Sequence, residues 1–417
     1  MDKKQRSPLL LMALTILIDF TGFGLIIPLL PFWAERLGAN PLGIGTLITI
    51  YALAQFIFTP LLGSLSDRYG RRPIILWSLL IEALSLVLTA VSGSFAMLLL
   101  ARAIGGLGAS NIGSAQAVVS DVTSNSNRAK GMGYIGAAIG AGFVLGPALG
   151  GLLTPIGPTL PFWVAAGIAL LNACLVFFLL PETHRPHTNN TGANNHNQPI
   201  NTLLHNFRHA AHMPVILRLI LVNLIYTVAF AGMETIFPLF SQKTFGWGAT
   251  QNAYMFTYIG FIVILMQGGI VRQLVKHWRE QTIMWIGLLI LALGLITLAF
   301  SSHFALLLIS IGLISVGDGA VSPTISTTLS FVSAADAQGE TLGLAQGFAG
   351  LGRIIGPALA GSVDTLSNPS MPLLISGILV ILSALIVFPV LSKIHRPDDS
   401  KQHTKHTGQP FALEQSK

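Results

Sequence analysis

A single cysteine, Cys174, in 417 residues leaves no pair for a disulfide and too few thiols for a cysteine metal site. Lying in an apolar run, it reads as a small packed residue. Charge is scarce too: 9% of residues are charged and 52% are hydrophobic, where a soluble domain carries about 25% charged residues. Most of the chain therefore does not face water. The net charge of +7 is not gathered on a polar domain with interleaved aromatics, which excludes nucleic acid as a partner. No Gly-x4-Gly-Lys-Ser/Thr loop exists, and no polar segment is large enough for a nucleotide domain, so ATP is not the energy source and no cofactor is expected. His-Glu-x2-His, a nucleophile elbow and a two-metal carboxylate cluster are all missing, which argues against an enzyme. The apolar run after Met1–Arg6 is too long for a signal segment and leads into further runs of the same kind.

Those runs are what the chain has in abundance. A bilayer core needs about 20 apolar residues per helical span, and twelve such stretches lie near 8–34, 43–66, 74–93, 95–118, 131–153, 160–180, 213–240, 249–273, 281–300, 304–330, 341–363 and 371–391. They are too long for barrel strands and do not alternate in polarity. The expectation is an all-α integral membrane protein. Of 23 Lys and Arg, nineteen fall in the termini and the even-to-odd connections, and only Arg36 and Lys243 in the opposite connections. The positive-inside rule puts both termini in the cytoplasm of a cell membrane, the bacterial inner membrane. The one long polar connection, 182–212, divides six spans from six. It predicts an N-terminal bundle over 1–181, a cytoplasmic linker, a C-terminal bundle over 213–392 and a disordered tail over 393–417. His205, His209 and His212 share a helical face in the linker, but no carboxylate or cysteine completes a ligand set. They read as solvated residues, and no metal is expected.

The halves repeat each other. Gly140–Gly151 aligns with Gly350–Gly361 at an offset of 210, with seven of twelve positions identical. Six-span halves of equal parity make parallel repeats about an axis along the membrane normal, with a binding site at mid-membrane between them. Small residues at i, i+4 let helix backbones approach closely, and Gly146-Pro147 and Gly356-Pro357 are placed to bend their helices. Packing alone and packing combined with gating both fit these elements.

The loop Gly63-Ser-Leu-Ser-Asp67-Arg68-Tyr-Gly70-Arg71-Arg72, the stretch Asp19-Phe-Thr-Gly-Phe-Gly-Leu-Ile-Ile-Pro28, Tyr51-Ala-Leu-Ala-Gln55, Arg102-x3-Gly106-x-Gly108 and the Gly146-Pro147 helix together resemble the major facilitator superfamily. Within it they are similar to the twelve-span drug/proton antiporters, the tetracycline-efflux-like proteins above all. The resemblance implies two six-helix bundles, proton-coupled export of small amphipathic drugs by alternating access, a monomer, and partners limited to drug, protons and lipid. It implies that Arg102 helps control protonation. It also implies a cytoplasmic gate in which Asp67, flanked by Gly63, Arg68, Gly70 and Arg72, sits near a helix N-terminus of the other half, while Arg71 pairs with Asp121. This chain departs from the tetracycline exporters in carrying Ser85 where they have an acid, with Glu82 almost one turn earlier, and in having Arg353. A proton-coupled importer or uniporter of a small metabolite remains the alternative on the same fold.

Charges inside spans cost about 2.5–3.5 kcal/mol each at a helix centre, so Asp19, Glu82, Arg102, Glu234, Asp318 and Arg353 are functional candidates. Asp19, about 17 Å into its helix at 1.5 Å per residue, is the expected proton carrier. Arg102 is its expected partner, and a static pair is the competing reading. Asp318, between Gly317 and Gly319, is expected to pair with Arg353 or to titrate. Glu82 is expected at the periphery. Phe23, Tyr51, Gln55, Asn111, Gln116, Asn223, Tyr226, Phe230, Glu234, Tyr254, Tyr258, Gln267 and Arg353 are the candidate drug-cavity lining.

Overall fold

A computed structural model of the chain describes residues 3–123, 128–183, 213–333, 338–366 and 368–391. The histidines of the linker and the tail 393–417 lie outside the described residues. Those described form helices and no strand: α1 (Lys3–Ile26), α2 (Leu30–Arg36), α3 (Pro41–Tyr69), α4 (Arg71–Ala90), α5 (Phe95–Gly108), α6 (Ile112–Val122), α7 (Arg128–Leu153), α8 (Leu160–Leu179), α9 (Pro214–Phe245), α10 (Ala249–Leu265), α11 (Val271–Leu274), α12 (Glu280–Ala299), α13 (Phe304–Val332), α14 (Gln338–Leu366) and α15 (Ser370–Val387). Starts are marked by local chemistry. Asn40 accepts the amide of Gly43 at 2.8 Å and Ser94 that of Met97 at 3.2 Å, while Pro41 and Pro214 occupy first-turn positions that need no donor.

Eleven helical stretches are long and apolar enough to cross a membrane, with α5–α6 and α10–α11 each counted as one. The twelfth expected span, α14, is absent from that set because its glycines, Gln346 and Arg353 lower its mean hydropathy. It is nonetheless 29 residues long and packs between α9 and α3. Three spans depart from a single regular helix. The first span stops at Ile26 rather than 34, since Pro28 and Pro31 interrupt the ladder, and α2 forms separately. The fourth is broken by a 3-10 turn over Ala109–Asn111. The eighth contains a π-turn over Met266–Ile270. Cys174 is exposed on α8, not packed as expected, because that face of the helix meets no other helix.

Packing repeats across the halves. α1 lies on α7 as α9 lies on α14; α4 packs on α5 and α8 as α12 packs on α13 and α15; α3 meets α5 as α10 meets α13. The two halves then touch through α3 with α14 and α7 with α10. Glycine makes the first contacts possible. A Cβ on Gly146 would lie 2.6 Å from the Thr21 carbonyl oxygen, and one on Gly356 would lie 2.5 Å from the Val228 carbonyl oxygen. Both prolines sit inside unbroken helices.

Contact between halves is uneven along their length. On the side away from the termini, a Cβ on Gly45 of α3 would lie 2.4 Å from the Pro357 carbonyl oxygen, and one on Gly361 of α14 would lie 2.6 Å from that of Pro41. Thr49 Oγ1 donates to the Ile354 carbonyl at 3.1 Å. Toward the termini, a Cβ on Gly63, Gly136 or Gly343 would meet nothing within 4 Å. The halves are closed against each other on one side and part on the side that carries the termini.

Charged groups gather on the closed side. Lys243 Nζ of α9 lies 3.6 Å from Oδ2 of Asp364, a carboxylate with no exposed surface and no hydrogen bond. Glu35 of α2, across the junction, lies in reach of Gln242 and Lys243; burial pushes its carboxyl up, against the pull of those two neighbours. A cavity of about 440 Å³ separates α2 from α9 and α10 there. Lys243→Met should strand the buried Asp364 charge and lower stability by about 1–3 kcal/mol, read as an earlier thermal unfolding midpoint in detergent. Adding Asp364→Asn should restore most of the loss. An unchanged midpoint in Lys243→Met would show that the pair contributes nothing.

Candidate functional site

The break in the fourth span builds the central site. Gly108 ends α5 where a Cβ would fall 2.6 Å from the Glu82 backbone nitrogen, so α5 and α4 touch at Glu82. The helix then tightens into the 3-10 turn. Its freed carbonyls are taken by side chains: Gln55 Nε2 donates to Ala109 at 3.0 Å, and the Ser78 hydroxyl donates to Gly108. Gln55 thus holds the break rather than standing free in a cavity. The turn delivers Asn111, whose Nδ2 donates to Asp19 Oδ2 at 3.3 Å.

Asp19 is half-buried and Glu82 buried; the two carboxyls lie within reach of each other, and Asp19 Oδ1 and Glu82 Oε2 are buried without a hydrogen-bond partner. Two such groups can bond to each other only when one of them holds a proton, since ionised carboxylates only accept. One turn along α1, a Cβ on Gly22 would meet nothing within 4 Å, so open space reaches this pair. Two expectations are corrected here. Glu82 is not peripheral, because the Gly108 contact draws its helix inward. Asp19 does not form an ion pair with Arg102. The guanidinium lies 4.0 Å over the Tyr51 ring, its Nε without a hydrogen-bond partner, while remaining in electrostatic reach of Glu82. A desolvated contact of this kind is worth about 2 kcal/mol. Tyr51 in turn stacks on Phe23, centroids 5.6 Å apart, and Phe23 packs edge-on to Phe143.

The second half carries its own cluster. The Tyr226 hydroxyl donates to Asp318, whose neighbours Gly317 and Gly319 let α13 lie against Leu291 and Met266. The expected Asp318–Arg353 pair does not form: Asp318 turns to α9, and Arg353 is exposed on α14, in electrostatic reach of Glu234 and Tyr226. Phe230 lies 6.3 Å from Tyr226. Tyr258 is half-buried and its hydroxyl lies near Gly312, while Gln116 and Gln267 are exposed. Asn223 is committed to the Ala345 carbonyl at 2.9 Å. Tyr254 packs against Gly151 at the junction of the halves.

At the parted side, Arg71 contacts Asp67 at 2.6 Å, Asp121 at 3.3 Å and Ser66 Oγ at 2.7 Å. The Arg71–Asp121 pair is present. Asp67, 58% exposed, is engaged by Arg71 of its own half, not by the other half, as the separation of the halves requires. Arg68 lies over Tyr69, and Arg72 lies over Phe177 and donates to its carbonyl. Glu182, which sequence reasoning left aside, accepts the backbone amides of Arg71 and Arg72 at 2.9 and 3.2 Å and caps α4. Gly70 is fixed twice, by φ +104° and by the Glu182 carboxylate 2.5 Å from where a Cβ would stand. Nothing in the sequence joins residues 111 positions apart; only the packing of α8 on α4 does.

A helical membrane protein of two matched halves, closed on one side, parted on the other, with acids at the centre, has the build of a carrier. The sequence profile of the Major Facilitator Superfamily matches residues 12–330 and 273–415, and the chain belongs to that family. It is 31% identical to the tetracycline resistance protein, class B, of Escherichia coli, over 85% of this chain and 87% of the relative. It is 28% identical to multidrug resistance protein 2 of Bacillus subtilis (strain 168), over 91% and 94%. Among solved structures, the human organic anion transporter MFSD10 (TETRAN) aligns with a TM-score of 0.70 at 25% identity, covering 93% of this chain and all of the other.

Proposed function

We propose that this carrier is a proton-coupled antiporter that exports small amphipathic drugs by alternating access between bundles 1–181 and 213–392, with both termini in the cytoplasm of a bacterial inner membrane. The tetracycline and multidrug resistance proteins among its relatives support the substrate class. The observation that carries the coupling is the Asp19–Glu82 contact at the edge of open space. Exposed to one side, the pair releases its proton; exposed to the other, it regains one. The aromatic group of Phe23, Tyr51 and Phe143 beside it offers apolar faces to a planar drug. One proton moving inward across 100 mV contributes about 2.3 kcal/mol, enough for roughly 50-fold accumulation at 1.4 kcal/mol per decade. The chain acts as a monomer, without cofactor.

Inverted membrane vesicles loaded at acid internal pH test the reading. Tetracycline or ethidium added outside should enter, and the interior should lose protons in step. Entry that ignores the pH gradient would remove proton coupling. Exit of drug from preloaded vesicles in place of entry would reverse the direction.

A further inference from the structure

One ring carries both chemistries of the first half. Tyr51 is buried, holds the Arg102 guanidinium 4.0 Å from its centroid and stacks on the half-buried Phe23. It has no freedom to leave. A Cβ on Gly106 would lie 2.2 Å from the Tyr51 carbonyl oxygen, and one on Gly105 would lie 3.4 Å from its ring, so α5 clamps both backbone and ring. Arg102, by contrast, can leave: its Nε is buried without a partner and it makes no ion pair. The titratable groups in mutual reach are Asp19 on α1, Tyr51 on α3, Glu82 on α4 and Arg102 on α5; Asn111 adds only an amide.

We propose that Tyr51 is the positioning residue that makes drug and proton exclude one another, its ring holding Arg102 while the Asp19–Glu82 pair keeps its proton and receiving the drug when that proton leaves. This rests on the antiport reading above. With one proton shared, the pair carries a single negative charge, and Arg102 balances it from the ring. When the proton departs, the pair carries two, and the added attraction draws the guanidinium off the ring toward the carboxylates. The vacated face of the ring then accepts a flat or cationic drug. Return of the proton sends Arg102 back and displaces the drug. Proton and drug thereby alternate without touching the same atoms.

The test is a ring series in purified protein reconstituted in liposomes, reading the pH midpoint of ethidium/proton exchange and the KM for ethidium. Tyr51→Leu removes the surface that holds Arg102 and should move the midpoint to acid by about one unit and raise KM at least fivefold. Tyr51→Trp, the stronger partner for a cation, should move the midpoint the other way. Tyr51→Phe should keep it. A merely structural tyrosine would lower kcat or thermal stability in all three without ordering the midpoints; equal midpoints in Tyr51→Leu and Tyr51→Phe overturn the proposal. Should the wild type exchange no ethidium, the transport reading falls for that drug. The midpoint of proton release from detergent-purified protein, followed with a pH indicator, then still sorts the variants in this order or refutes it.

Discussion

Asp19→Asn should stop proton-coupled drug exchange while the protein still inserts and folds. The amide keeps an oxygen to accept from Asn111 and nearly the same volume, so the Asn111 contact at 3.3 Å survives. What disappears is the carboxyl that can share a proton with Glu82. Loss of a proton-transferring group costs about 100-fold or more, and exchange in liposomes should fall by at least that factor. Downhill drug movement without a pH gradient should fall as well, because the one remaining carboxyl never supplies the second charge that draws Arg102 off Tyr51. Full exchange by purified Asp19→Asn would take this residue out of the coupling role and leave Glu82 or Asp318 to carry it.

Gly45→Leu should jam the carrier on its closed side. The position faces the Pro357 carbonyl oxygen so tightly that even a Cβ would lie 2.4 Å away, well inside the ordinary contact range of about 3.5–4.0 Å. The obstacle is backbone on both helices and cannot rotate aside. Each half keeps its own packing, α1 on α7 and α9 on α14, so insertion should be normal. The state in which α3 and α14 meet would be disfavoured. Reversing a two-state preference from 99:1 takes about 5.5 kcal/mol, within reach of such an overlap. Spin labels at Arg36 and Gln251, one on each half, should report longer distances, and exchange should fall at least tenfold. Unchanged distances would mean that the closure seen here is not part of the cycle.

The helical spans, their pairing into repeats and the charged loop were legible because each is a local pattern. Apolar length, glycine at four-residue spacing and a cluster of arginines need no partner to be recognised. Asp19 was legible too, since a carboxylate in an apolar run is costly wherever it points. The partners of those charges were not. Glu82 was expected at the periphery, Arg102 on Asp19, and Arg353 on Asp318. In each case the choice turned on helix rotation and backbone approach, through Gly108 against Glu82 and the freed carbonyls of Ala109–Asn111. Glu182 and Asp364 escaped notice for the same reason: one sits just past a helix end and the other near one, where acids are common, and only contacts 111 and 121 residues distant give them meaning.

The amino-acid sequence alone determined that the chain lives in a bilayer, folds as repeated helices and keeps ionisable groups in its interior, because the cost of exposing polar backbone or charge to lipid leaves few alternatives. Tertiary structure alone decided which acid faces which, where the arginine rests, and on which side the halves meet. Those outcomes depend on contacts of a few ångströms between helices far apart in the chain, and hydropathy does not encode a helix's rotation about its axis that finely.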